Sequence, residues 1–186
     1  MLPWGHVAVG YLAYRSLRTV RGRGVPSPAA AVAVVVGTQA PDLIDKPLAW
    51  NLGLLPAGRS LGHSLLVMAV VFALASRLRV VRDRPVAAGA FALGAVSHAF
   101  ADAAGPLVEG TPAAASFLLW PVVPLHVHDS GYSILAVFLS LDPTPHVLVG
   151  LVLSAVAAVV WVRDGTPGTG LVVRALRSDR RGRTEQ

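Results

Sequence analysis

Residues 79–102 read RVVRDRPVAAGAFALGAVSHAFAD. Three arginines lie at the start of this stretch, and residues 85–101 then contain no Asp, Glu, Lys or Arg. An uncharged run of this length is long enough for a transmembrane helix, which needs about 17 to 25 residues. The stretch therefore predicts a membrane-spanning helix with arginines at one end and His98 and Asp102 towards the other.

The composition also indicates a membrane protein. The 186 residues are 54% hydrophobic and 14% charged, whereas soluble domains carry about 25% charged residues. The sequence contains no cysteine, which excludes disulfides, thiolate catalysis, Cys-ligated zinc and iron–sulfur clusters. Any bound metal must therefore be held by His, carboxylate or water.

Three further uncharged runs have a similar length and occupy residues 25–41, 60–76 and 143–162. All arginines except Arg59 fall in three groups outside these runs, at residues 15–23, 77–84 and 163–183. Because positively charged loops stay on the cytoplasmic side, these groups predict spans that alternate outward and inward. Residues 164–186 are then expected to form a basic, disordered cytoplasmic tail.

Two other segments are short or interrupted. Residues 2–14 are apolar and indicate a short membrane-inserted helix whose N-terminus faces outward. Residues 113–141 contain Pro121, Pro124 and Gly131 within an apolar stretch, which indicates a re-entrant or interfacial pair of short helices. The predicted fold is all-α: a multi-pass bundle over residues 1–163, with four to six membrane-embedded helices in the inner or plasma membrane.

Ionisable residues from separate segments are predicted to meet in one layer. At 1.5 Å per helical residue they lie about 18–28 Å from the nearest arginine group, in the outer third of a hydrocarbon core about 30 Å thick. These residues are His6, Asp42, His63, His98 and Asp102. Because ionisable groups at this depth need partners, we expect a shared polar site that faces outward.

The most informative local pattern is Ser97-His98-x-x-x-Asp102. Its i, i+4 spacing places an imidazole and a carboxylate on one helical face, one turn apart. This geometry suits two ligands of one metal ion. The alternative is a structural, hydrogen-bonded pair.

Two other motifs contain candidate site residues. Residues 41–47, PDLIDKP, place two carboxylates between prolines that are expected to limit helix continuation. The two carboxylates could bind a cation; the alternative is an interfacial turn whose acids face water. Residues 58–64, GRSLGHS, begin the next span, with Ser60 as the expected N-cap and His63 in the first turns. Arg59 is expected either to bind an anion or to pair with Asp42 or Asp45.

Weaker signals concern residues outside these motifs. His126 and His128 are candidates for a second metal or for the lining of an entrance, and His146 is a candidate interfacial residue. The expected aromatic belt and close-packing positions are Trp50, Trp120, Trp161, Gly89 and Gly94.

At these motifs the sequence resembles the YdjM-like family of membrane-bound, metal-dependent hydrolases. The resemblance runs from His6 to Pro121 and rests on an early His, a Pro-Asp motif, Arg-x-x-x-His-Ser, Gly-x-x-Ser-His-x-x-x-Asp and Trp-Pro. In this sequence the motifs correspond to His6, Pro41-Asp42, Arg59 with His63-Ser64, Gly94 with Ser97-His98 and Asp102, and Trp120-Pro121. Gly62 stands where the family commonly has Thr.

A more distant similarity is to zinc-dependent phospholipases C and related single-strand nucleases. Their ligand order His, Asp, His, His-x-x-x-Asp is also that of this sequence. Those enzymes continue with a His-x-x-x-Glu pair, whereas the residue four positions after His128 is Tyr132.

The resulting hypothesis is a membrane-bound, metal-dependent hydrolase. The expected metal ligands are His6, Asp42, His63, His98 and Asp102, and zinc suits this set best, with manganese as the alternative. The metal would activate a water, which Asp45 would orient or deprotonate, while Arg59 with Lys46 would hold an anionic substrate. The favoured substrate is a phosphoester or lipid headgroup at the outer membrane face.

Two other functions are compatible with the sequence. Intramembrane acids and histidines also mark small transporters, although the apolar inner halves at residues 66–75 and 86–93 favour a one-sided site. A metal-stabilised membrane scaffold without catalysis is the second alternative. Nucleic acid is not an expected partner, because the arginines lack interleaved aromatic residues for base stacking. Membrane lipids are the expected partners, and the sequence indicates no oligomeric state.

Overall fold

Prolines and hydroxyl caps begin the long helices of the computed structural model, which describes residues 2–126 and 144–184, with side chains as far as Ser178. A proline lies in the first turn of four helices, where its missing N–H costs no hydrogen bond. Elsewhere a hydroxyl accepts from an N–H of the first turn, as Ser64 does from Val67 at 3.2 Å. These local signals set where each helix begins.

The α-helices are α1 (Pro3–Val20), α2 (Pro28–Lys46), α3 (Leu65–Ala75), α4 (Arg79–Arg82), α5 (Pro85–Val108), α6 (Pro145–Arg163) and α7 (Thr169–Thr184). A π-helical turn, Pro47–Asn51, follows α2, and a 3₁₀ helix spans Pro112–Leu119. The described residues contain no β-strand, and the all-α fold is confirmed.

Close packing of α2 on α5 forms the centre of the bundle, and α1 packs on both helices. A Cβ at Gly37 would lie 2.2 Å from the Phe91 carbonyl oxygen, and one at Gly94 would lie 2.4 Å from that of Val34. Only glycine permits such an approach of two helix backbones. Gly94 is thus the close-packing position that the sequence predicts, whereas a Cβ at Gly89 would meet nothing within 4 Å.

The arginine groups of the described residues gather at one end of the bundle, which we call the arginine end. Helix α6 runs parallel to α1, since Ser154 donates to the Trp4 carbonyl at one end and Arg15 pairs with Asp164 at the other. The C-terminus of α1 also lies beside the N-terminus of α5. The histidines at positions 6 and 98 therefore lie towards the opposite end.

Two of the described helices, α5 and α6, are long and apolar enough to cross a bilayer. Helix α6 exposes apolar side chains, including Leu148, Val152 and Val159. Surface of this kind requires lipid or another apolar partner. Helix α3 is also apolar but only 11 residues long.

Three local expectations are corrected. Helix α2 continues through Pro41 to Lys46, because a proline removes only one backbone N–H, and packing of α2 against α1 and α5 offsets that loss. Ser64, and not Ser60, caps α3, so His63 lies in the preceding loop. Part of the tail expected to be disordered is the helix α7, whose sequence from Leu171 is rich in the helix-favouring residues Leu, Ala and Arg.

The predicted re-entrant segment at 113–141 is described only in part. Its beginning lies within the 3₁₀ helix, whereas residues 127–143, which include His128, lie outside the described residues.

Candidate metal centre

His98 and Asp102 lie on the buried face of α5, one turn apart, with exposed fractions of 1% and 7%. The His98 Nδ1 lies 2.6 Å from the carbonyl oxygen of Thr38 on α2. Because a carbonyl only accepts, Nδ1 donates this hydrogen bond, and the neutral ring therefore has its lone pair on Nε2. The backbone of α2 thus orients His98 as a ligand.

Asp45 positions the second imidazole, that of His63. It is fully buried, and its Oδ2 lies 2.8 Å from the His63 Nδ1. The same carboxylate accepts backbone N–H groups of Ser60 at 2.8 Å and Gly62 at 2.7 Å. Asp45 therefore fixes the loop and the ring together, as outer carboxylates do behind metal-binding histidines.

The Nε2 atoms of His63 and His98 then face each other at 3.1 Å. The Asp42 Oδ1 lies 3.5 and 3.6 Å from these two nitrogen atoms. The Asp102 Oδ2 lies 3.7 and 3.9 Å from them. One ligand atom from each of the four residues falls within a cluster whose members are all within 4.8 Å of one another.

This donor set fits a metal ion. Ligands held about 2.0–2.2 Å from a tetrahedral zinc are about 3.3–3.6 Å apart, which is close to the spacing in this cluster. The Asp42 Oδ1 is buried and makes no hydrogen bond among the described residues, so a cation would satisfy it. The cluster can therefore hold a metal ion, and its mixed imidazole and carboxylate ligands leave the choice of metal open.

Two cations border the cluster. The Lys46 Nζ lies 2.5 Å from the Asp42 Oδ2, and the Arg59 Nε lies 2.7 Å from the Asp102 Oδ2. With neutral imidazoles, the three carboxylates of Asp42, Asp45 and Asp102 exceed these two cations by one negative charge. A divalent cation would reverse the sign of this local charge and favour an anionic ligand.

The family model described as YdjM inner membrane protein matches residues 1–176. The chain belongs to this family. No curated protein and no solved structure matches it.

The chain also brings His6 beside the cluster, although His6 is not one of the four members. The His6 ring stacks on His98 with centroids 3.8 Å apart, and its Nε2 lies 3.3 Å from the Asp102 Oδ1. Its role as a fifth ligand stays a prediction. Arg59 pairs with Asp102 and not with the Asp42 or Asp45 named in the alternative from sequence.

His146 and His126 lie outside the cluster. The His146 Nε2 lies 2.8 Å from the Glu109 Oε1, joining the start of α6 to the end of α5. His126 is exposed, and its backbone N–H donates to Ser116 at 3.0 Å.

Sequence reasoning missed three contributors to the site. One is the Thr38 carbonyl, a backbone group that no side-chain pattern reveals. Another is Phe117, whose ring meets His63 edge-on at 5.8 Å between centroids. The third is the Trp120 carbonyl, which accepts a hydrogen bond from the Ser64 hydroxyl. The Trp-Pro and His-Ser motifs contain both partners of this last contact, but from the sequence Trp120 was assigned only a membrane-belt role.

Proposed function

We propose that this chain is a membrane-bound, metal-dependent hydrolase that acts on a phosphoester, with a lipid headgroup as the favoured substrate class. One observation carries the proposal: the His63 and His98 Nε2 atoms, 3.1 Å apart, point at the same place as carboxylate oxygens of Asp42 and Asp102. When bound, a divalent cation supplies a Lewis acid and makes water a stronger nucleophile at neutral pH.

The protein's own residues would orient this centre. Thr38 and Asp45 hold the two imidazoles by their Nδ1 atoms. Both oxygen atoms of Asp45 are already hydrogen-bonded inside the protein. We therefore assign Asp45 as a positioning residue, in place of the base that the sequence suggests.

Access to the centre is from the side of Lys46 and Arg59. The Arg59 side chain is 50% exposed, and the Asp42 side chain is 14% exposed. A guanidinium at the opening suits a phosphate, whose oxygen atoms accept two parallel N–H groups. These two cations would bind and orient an anionic substrate.

Exposed apolar residues near the opening favour a lipid substrate. Leu43 and Ile44 flank the site carboxylates on α2, and Leu52 and Leu54 lie in the following loop; their exposed fractions range from 43% to 70%. Such residues are stable when they contact acyl chains at a membrane surface. A headgroup beside this surface would reach the centre without leaving the membrane.

The proposed topology has α1, α2 and α3 embedded in the membrane together with α5 and α6. The arginine end would then face the cytoplasm by the positive-inside rule, and the metal centre would face outward. This makes the chain a multi-pass protein of the inner membrane with four to six embedded helices.

A transporter is less well supported. The packed core towards the arginine end is formed by Tyr11, Tyr14, Val34 and small alanines of α2 and α5, and this composition does not favour a polar path through both leaflets. A metal-stabilised scaffold has the same ligands, so only an activity measurement separates it from a hydrolase.

The test uses the full chain purified in mild detergent. Metal content and phosphate or headgroup release from defined phospholipids are measured for the wild type, His98→Ala and Asp102→Ala, with His146→Ala as the matched control. We expect both cluster variants to lose metal and turnover, and His146→Ala to retain them. Metal-dependent turnover that survives in both cluster variants, or metal binding without hydrolysis of any ester tested, would contradict the proposal.

A further inference from the structure

A cavity of about 430 Å³ lies at the arginine end between α1 and α5. Its apolar wall includes Leu17, Val86 and Leu93, and its polar part includes Arg18, Arg21 and Arg23. On α1, Arg18 lies 12 residues after His6, or about 18 Å along the helix. The cavity is therefore separate from the metal centre.

The turn after α1 holds these arginines at the cavity. The Arg18 Nε donates to the Gly24 carbonyl at 3.1 Å, and a terminal nitrogen of the same guanidinium donates to the Arg23 carbonyl. Gly22 and Gly24 both have a φ of +64°, a conformation that favours glycine and lets the chain fold back on itself. These hydrogen bonds and the two glycines therefore fix the conformation of the turn at the arginine end.

The positive charge at the cavity is not neutralised by the acids of the described part of the chain. At the arginine end, Asp164 pairs with Arg15, and Asp83 lies 3.8 Å from Arg79. No carboxylate among the residues with described side chains lies within 4.0 Å of Arg18, Arg21 or Arg23. The cavity thus combines an apolar wall with three guanidinium groups that form no ion pair with the acids of the described side chains.

We propose that this cavity binds an anionic phospholipid, with its phosphate on the arginines and part of an acyl chain against Leu17, Val86 and Leu93. Basic pockets between membrane helices are suited to anionic headgroups, and a guanidinium matches the geometry of a phosphate. A free phosphate would meet the same arginines but would leave the apolar wall exposed to water. The assignment does not depend on the activity of the metal centre.

The experiment titrates the detergent-purified full chain with short-chain phosphatidylglycerol, short-chain phosphatidylcholine or inorganic phosphate, and measures binding by calorimetry. Arg21→Gln/Arg23→Gln removes two of the charges. Gly89→Leu fills the cavity, because Gly89 lines it and a Cβ there meets nothing within 4 Å. Arg79→Gln/Arg82→Gln is the matched control, since it removes the same charge from exposed positions outside the cavity.

We expect saturable binding of phosphatidylglycerol to the wild type. The affinity should fall about 10- to 30-fold in Arg21→Gln/Arg23→Gln and by a comparable factor in Gly89→Leu. In the control it should change less than about twofold. Metal content should stay at the wild-type level in all three variants, which reports an intact bundle independently of lipid binding. Equal loss in the control would indicate general surface attraction and overturn the proposal. The proposal would also be overturned if phosphatidylcholine bound as tightly as phosphatidylglycerol. The same holds if inorganic phosphate bound and Gly89→Leu left lipid binding unchanged.

Discussion

The Nε2 atoms of His63 and His98 lie 3.1 Å apart, although the residues are separated by 35 positions in the sequence. Their Nδ1 atoms face Asp45 and the Thr38 carbonyl, which accept hydrogen bonds. Two neutral imidazoles oriented in this way direct their lone pairs at each other, and this arrangement is unfavourable unless a proton or a cation lies between them. The following predictions derive from this relationship and from the packing that maintains it.

Asp45→Asn should weaken metal binding about 10- to 100-fold, because loss of an outer carboxylate makes the ligating imidazole less basic and less well oriented. Metal affinity is measured by competition with a chromogenic chelator, with the exposed Asp83→Asn as the control. If Asp45 were instead the base that activates water, the variant would keep its metal affinity and lose only kcat.

Removing the metal should lower the thermal stability of the wild-type chain. A ligand that binds only the folded state stabilises it by about 2.7 kcal/mol at 100 times its Kd. Unfolding is followed by circular dichroism in detergent, before and after chelation and after zinc is restored. Asp102→Ala should show little response to either step; an equal response in this variant would place the stabilising metal elsewhere.

Arg59→Gln should lower kcat/KM for an anionic phosphoester about 10- to 100-fold, the range for a hydrogen bond to a charged group. We expect the change mainly in KM, with metal content maintained. Arg59→Lys should recover part of the loss, because lysine keeps the charge without the guanidinium fork. Loss of metal in Arg59→Gln would indicate that Arg59 mainly stabilises Asp102, whose Oδ2 lies 2.7 Å away.

Gly94→Val should destabilise the bundle by about 1–3 kcal/mol, because the added side chain overpacks the α2–α5 interface. Its Cβ would lie 2.4 Å from the Val34 carbonyl oxygen. Stability is measured by titration with a denaturing detergent. Gly89→Ala on the same helix is the control. It should stabilise the bundle by about 1 kcal/mol, since alanine has a higher helix propensity than glycine. Equal destabilisation of both variants would argue against this close contact.

The amino-acid sequence was sufficient to predict the elements that depend on local pattern. Uncharged runs predict α5 and α6, and an i, i+4 spacing predicts that His98 and Asp102 share a face of α5. The distances of His6 and Asp42 from the arginines, counted along their helices, predicted that both residues lie in the same layer. These inferences succeed because the rise and the periodicity of a helix are constant along the chain.

Only the tertiary structure decided how the remaining groups meet. The loop before α3 has no periodicity, and its shape is set by N–H groups of Ser60 and Gly62 that donate to Asp45 on another element. That contact directs the Nδ1 of the His63 ring at Asp45 and its Nε2 at His98. The physical reason is that hydrogen bonds between distant elements depend on how backbones pack, whereas the sequence specifies only which groups can form them.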